Sequence, residues 1–126
     1  MFPTAPVLAS SVPRNVFKRM QNGLFHLKMK QYGNNVPFSY KKTRRTWLPN
    51  IQSKRLYSET LGEVKLKVTT KALKTIDKYG GLDAYLLGSK TEVLGDKGMS
   101  LRALVRQKRL EAAEANPTPQ PVETNA

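Results

Sequence analysis

Residues 33–57, GNNVPFSYKKTRRTWLPNIQSKRLY, carry six cationic side chains and no acidic one. Pro37 and Pro49 lie inside the stretch, and each bars a continuous helix. The chain from Val36 to Tyr57 is therefore expected to be extended, with a bend at Pro49-Asn50 between two short strands. The cations Lys41, Lys42, Arg44, Arg45, Lys54 and Arg55 are interleaved with Phe38, Tyr40, Trp47 and Tyr57 and with the amides Asn34, Asn35 and Asn50. Cations neutralise phosphates and release counterions, and rings stack on unpaired bases. A solvated surface normally carries both signs of charge, so the one-signed stretch points to a polyanion rather than to an ordinary charge run.

The whole chain supports that reading. It has 126 residues, a formal net charge of +13, and no cysteine. Its first acidic residue is Glu59. Self-repulsion on this scale is relieved when a polyanion neutralises it. The lack of cysteine excludes disulfides, thiolate nucleophiles and cysteine zinc sites. His26, the only histidine, has no second ligand in sight, so no metal site is expected. No apolar run approaches a membrane span. No small-molecule substrate, cofactor or catalytic residue is expected.

Along the chain, residues 1–22 form a basic arm with three prolines. It is read as an organelle import segment or a disordered arm, import being favoured. Residues 23–32 alternate loosely and suggest a short strand or an extended surface segment. Gly33-Asn34-Asn35 is a turn signal. Residues 53–58 and 64–68 read as an antiparallel pair, since VKLKV places Val64, Leu66 and Val68 on one side and Lys65 and Lys67 on the other. Thr69 or Thr70 caps a helix starting at Lys71, and Gly80 or Gly81 closes it. Lys71 and Lys74, early in that helix, are candidates for an external anion. A second short helix spans 82–87, with Asp83 at its positive end.

The expected core is Trp47, Leu56, Val64, Leu66, Val68, Leu73, Ile76, Leu82, Tyr85 and Leu86. Residues 88–99 read as a loop. Ser100 then caps a helix to about residue 115, with Arg102, Arg106 and Arg109 on a face open to a partner. Residues 116–126 read as a disordered tail. The fold class is α+β: a small antiparallel β-ribbon, two short helices, a basic N-terminal arm, and a C-terminal helix with a tail. The units are the arm (1–22), a core (23–87), a loop-and-helix extension (88–115) and the tail (116–126).

Taken in order, GNN at 33–35, KKTRRTWLPN at 41–50, the KRLY run at 54–57 and VKLKVTTKALKTIDKYGGLDAYL at 64–86 resemble the twenty-eighth large-subunit ribosomal protein family of bacteria and organelles. The resemblance spans roughly residues 23–87. It implies a small α+β protein embedded in large-subunit rRNA among neighbouring ribosomal proteins, with a structural and assembly role. It makes Asn34, Asn35, Lys41, Lys42, Arg44, Arg45, Asn50, Lys54 and Arg55 the expected rRNA contacts, joined by Lys65 and Lys67 on the ribbon and Lys71 on the helix. Bacterial members open with a cysteine-containing segment, and this chain has FHLKMKQYGNN there, after a longer arm. That departure removes any case for zinc, and with the 88–126 extension it resembles a mitochondrial version. A bacterial cytoplasmic or chloroplast member is the alternative.

Two other functions compete with this reading. Residues 71–87 superficially resemble the helix-turn-helix of a DNA-binding regulator, but the second helix offers no base-reading side chain. A membrane-surface or acidic-protein binder would use the C-terminal helix, whose apolar face is too alanine-rich for deep insertion. Trp47 is expected to pack under the hairpin in preference to stacking on a base.

Overall fold

The computed structural model describes residues 18–116. Two antiparallel hairpins are followed by three helices, which is the expected α+β class. The first hairpin pairs β1 (Gln31–Asn35) with β2 (Thr43–Trp47). The second pairs β3 (Ile51–Ser58) with β4 (Gly62–Thr69). The helices are α1 (Thr70–Tyr79), α2 (Leu82–Gly88) and α3 (Thr91–Ala115). Most of the expected arm and tail, residues 1–17 and 117–126, lies outside the described residues.

The VKLKV alternation behaves as its period requires. Leu66 and Val68 are buried, Val64 is packed at the core's edge, and Lys65 and Lys67 are exposed. Thr69 ends β4 and caps α1, its Oγ1 accepting a hydrogen bond from the Ala72 amide at 3.2 Å. Gly80 closes α1 in the left-handed region at φ 87°, and the Gly81 amide donates to the Ile76 carbonyl at 3.2 Å.

The N-terminal border of the body lies further upstream than composition suggests. Lys18–Asn22 form a short 3-10 helix, and Met20, Leu24 and Phe25 are fully buried. Burying a side chain of this kind contributes roughly 1.5–3 kcal/mol, so residues 18–25 belong to the folded unit. Of the strand or extended segment expected at 23–32, strand pairing is confined to Gln31 and Tyr32, the first two residues of β1, and a parallel bridge between Leu24 and Val68. Gly23 is required there: a Cβ would stand 2.2 Å from the Lys67 carbonyl oxygen. His26 (φ 50°) and Leu27 (φ 61°) then reverse the chain, closed by the Lys28 amide donating to the Phe25 carbonyl at 3.1 Å.

The expected loop at 88–99 is mostly helix. α3 starts at Thr91 and is broken only at Gly95, whose φ of 66° kinks it. Ser100 lies inside the helix and donates to the Asp96 carbonyl, so it is not a cap. Gly98 is a packing glycine, with Leu24 Cδ2 3.1 Å from where its Cβ would be. Leu94, Leu101 and Val105 join the core formed by β4, α1 and α2. Arg102 is buried, against expectation. Its Nε donates to the Leu86 carbonyl at 2.5 Å and its Nη2 to the Ser89 carbonyl, satisfying the C-terminal end of α2. With α3 starting at Thr91, Glu92 lies in its first turn, where an acid suits the helix dipole, and the arginines are mid-helix.

Asp83 does more than complement a helix end. It is buried, and its carboxylate accepts from the Ser58 hydroxyl and from the Thr60 amide (3.2 Å) and hydroxyl (3.1 Å). The carboxylate thereby ties the β3–β4 turn to α2. Replacing it by alanine strands these donors, and Asp83→Ala is expected to lower unfolding free energy by about 2–3 kcal/mol. Urea denaturation followed by circular dichroism measures this; a loss below about 0.5 kcal/mol would contradict it.

Candidate nucleic-acid interface

The first hairpin stands apart from the core. In β1 and β2 every residue is exposed except Gly33, which is half-buried. Its stability comes from its own faces. Asn34 sits opposite Arg44, and Arg44 Nη1 donates to Asn34 Oδ1 at 2.9 Å. On the other face Gly33 sits opposite Arg45, and the Trp47 indole lies across the glycine. A Cβ on Gly33 would stand 2.2 Å from the indole carbon Cζ3. The Arg45 guanidinium lies 4.9 Å from the ring centroid, a cation–π arrangement.

This geometry corrects two expectations. Asn34 and Asn35 are strand residues paired with Arg44 and Thr43, and the reversal falls at 36–42, where the Tyr40 amide donates to the Pro37 carbonyl at 2.9 Å. Trp47 packs on its hairpin, as expected, but it is 42% exposed and outside the core.

The second hairpin offers one basic face. Directly opposed residues of an antiparallel pair project to the same side. Arg55 stands opposite Lys65, Ser53 opposite Lys67 and Tyr57 opposite Glu63. Lys54 stands opposite Leu66, so it emerges on the core side of the ribbon and not beside Arg55. Lys71 is exposed in the first turn of α1 and shares a cleft of about 330 Å³ with Lys28, Met29, Trp47 and Pro49. Asn50 is exposed at the bend between the hairpins, where its carbonyl accepts from the Thr70 amide at 3.3 Å. Lys41 and Lys42 lie exposed on the descending side of the first hairpin's loop.

One cation escaped sequence reasoning. Lys97 of α3 joins Lys65 and Lys67 around a surface cleft of about 270 Å³ that also includes Asn22 and Ser53. Reading 88–99 as a loop hid it; extending the helical period back to Thr91 would have exposed it. His26, by contrast, is a packing residue. Its Nδ1 is 3.2 Å from the Tyr85 hydroxyl, and burial pushes the Tyr85 pKa up to about 12. Among the described residues no group of His, Asp or Glu could hold a metal ion.

The model of the Ribosomal L28 family matches residues 21–79, which hold both hairpins and α1. The large ribosomal subunit protein bL28 of Magnetococcus marinus is 47% identical over 89 residues, covering 70% of this chain and 90% of that protein. The chain belongs to the Ribosomal L28 family. Two fungal proteins named large ribosomal subunit protein bL28m are also similar. The one from Neurospora crassa is 47% identical over 100 residues, covering 75% of this chain and 36% of its own. The one from Schizosaccharomyces pombe is 44% identical over 112 residues, covering 85% and 62%. The chain thus spans under two thirds of the length of either fungal relative. The L28 family is one of structural ribosomal proteins rather than enzymes. All three alignments cover more of the chain than residues 1–79 could supply, so the similarity runs past α1.

Two outcomes follow from this geometry. Gly33→Ala should displace the indole, lowering the near-ultraviolet circular dichroism of Trp47 while the far-ultraviolet spectrum of the helices is kept; an unchanged near-ultraviolet band would refute the contact. Burial first, and the charge of Lys71 second, hold the His26 pKa below its ordinary 6.5. The unfolded chain then binds the proton more readily, so this contribution to stability is present above about pH 6.5 and is lost as pH falls through the lower folded value. Between about pH 7.5 and 5.5 the fall in stability should be smaller in His26→Gln than in the parent; parallel pH profiles would contradict it.

Proposed function

We infer that the chain is a structural constituent of a mitochondrial large ribosomal subunit and that it binds large-subunit rRNA through its two basic hairpins. The supporting observation is the direct cross-strand apposition of Arg55 and Lys65 on a solvent-facing ribbon. Like charges placed opposite one another destabilise a sheet, and a phosphate between them turns the repulsion into attraction. Asn34, Asn35, Lys41, Lys42, Arg44, Arg45, Asn50, Lys54, Arg55, Lys65, Lys67 and Lys71 are all exposed and free to meet RNA from several sides. The protein therefore works by cancelling phosphate repulsion where rRNA helices come close, with no catalytic step. The mitochondrial assignment rests on the two fungal relatives, whose names carry the mitochondrial suffix.

The helix-turn-helix alternative loses its reading helix. Leu82, Asp83, Tyr85 and Leu86 of α2 are all buried, which leaves only Ala84, Leu87 and Gly88 on its open side, and none of these can read a base edge. On a density gradient of native lysate in moderate salt, the protein should travel with the large subunit. Running free or with DNA would overturn the assignment. Replacing Lys41, Lys42, Arg44 and Arg45 together by alanine should reduce the slope of log affinity against log salt by about 3 units, at roughly 0.7–0.9 per phosphate contact. An unchanged slope would remove these residues from the interface.

A further inference from the structure

The loop joining β1 to β2 carries apolar side chains that the charge argument leaves unused. Phe38 is 99% exposed, Tyr40 82% and Val36 56%. A fully solvated phenyl ring contributes nothing to this fold, and clustered exposed apolar residues mark an interaction site. The loop is also held in shape. Pro37 fixes its own φ, and its carbonyl accepts from the Tyr40 amide across a four-residue turn that includes Phe38. Tyr40 adopts φ 58°, a left-handed conformation uncommon for an aromatic residue. The ring is therefore presented at the apex of a turn whose backbone is already ordered, which lowers the entropy cost of using it.

We propose that Phe38 is a stacking platform for an unpaired base of the large-subunit rRNA, with Tyr40 as its flank and Lys41 and Lys42 holding the adjoining phosphates. The proposal rests on the rRNA-binding reading above and names the nucleotide feature that this hairpin takes. The charge around the loop selects RNA over an apolar protein pocket. Residues 33–57 hold no acidic group, and the two lysines follow Tyr40 directly. An aromatic face beside paired cations is the chemistry of single-stranded nucleic-acid sites.

The test uses the full chain and protein-free large-subunit rRNA transcribed in vitro, with Phe38→Ala, Phe38→Leu and Phe38→Trp. Thermal melts of all three should match the parent, because the residue touches no core. Alanine and leucine should each weaken binding by about fivefold to 150-fold, the range that one stacked base commands. Tryptophan should bind at least as tightly as phenylalanine, and the salt slope should not move, because no cation is lost. Unchanged affinity in Phe38→Ala would overturn the proposal. So would parent-like RNA binding by Phe38→Leu with incorporation into the subunit lost only in Phe38→Ala, the pattern of an apolar pocket on a neighbouring protein. Failure of the parent chain itself to bind rRNA would instead overturn the rRNA reading, a result distinct from either.

Discussion

One threonine couples three parts of this fold. Thr69 is fully buried at the end of β4, and its polar groups tie the N-terminal segment and α1 to the ribbon. Its amide donates to the Leu24 carbonyl at 3.2 Å, and its hydroxyl donates to the Phe25 carbonyl at 2.9 Å. The same oxygen accepts from the Ala72 amide to start α1. Without its hydroxyl the Ala72 amide at the start of α1 would be left unpaired, at a cost of about 1–3 kcal/mol, and the Phe25 carbonyl would keep only the Lys28 amide. The N-terminal segment, the ribbon and the helical layer are therefore ordered together. Leu24 in turn gives α3 its packing surface at Gly98.

The first hairpin follows a different rule. It adds no side chain to the core, and it contains no acid to offset its arginines. What holds it is internal: an indole over a glycine, a guanidinium over the indole, and an amide across from an arginine. Such contacts are worth about a kcal/mol each, and an isolated two-stranded hairpin is marginal in water. Arg45 and Arg44 serve twice in this scheme, since each braces the hairpin with one part of its guanidinium and leaves other donors for phosphate. On the proposed rRNA reading, stability and binding are built from the same residues, and a polyanion that occupies them also secures the strands.

What could be read from the residues depended on range. β4 and α1 were legible because their signals are local: strict alternation at 64–68, a threonine before the helix and a glycine after it. The exposure of all twelve cationic and amide candidates was legible from their charge and their extended setting. Features set by distant partners were not. Gly95 and Gly98 look like loop residues in a row of letters, yet one is a kink and the other a contact with Leu24, seventy-odd residues away. Asn34 read as a turn former because asparagine tolerates positive φ; Arg44 across the strand gave it a better partner. Arg102 lay on an apparently free face until the carbonyls of Leu86 and Ser89 claimed it. Met20 reads as part of an arm because α3, whose Gly95 lies against the Met20 carbonyl, itself reads as loop at 88–99.

The division between the two hairpins bears on how such a protein achieves accuracy on RNA. Phosphate contacts orient a protein without reading sequence, and contacts with bases specify the place. The β3–β4 ribbon, with Arg55, Lys65 and Lys67 on one face and Lys97 beside them, is suited to orientation, because its cations are presented to one side. The β1–β2 hairpin reaches beyond the core and ends in a ring that nothing among the described residues covers. A lysine at that apex would bind wherever phosphate density is high, whereas a phenyl ring gains only where a base has left its stack. On the proposed reading, with the aromatic at the far end of the projection and the cations behind it, the charge brings the loop near RNA and the ring decides where it stays.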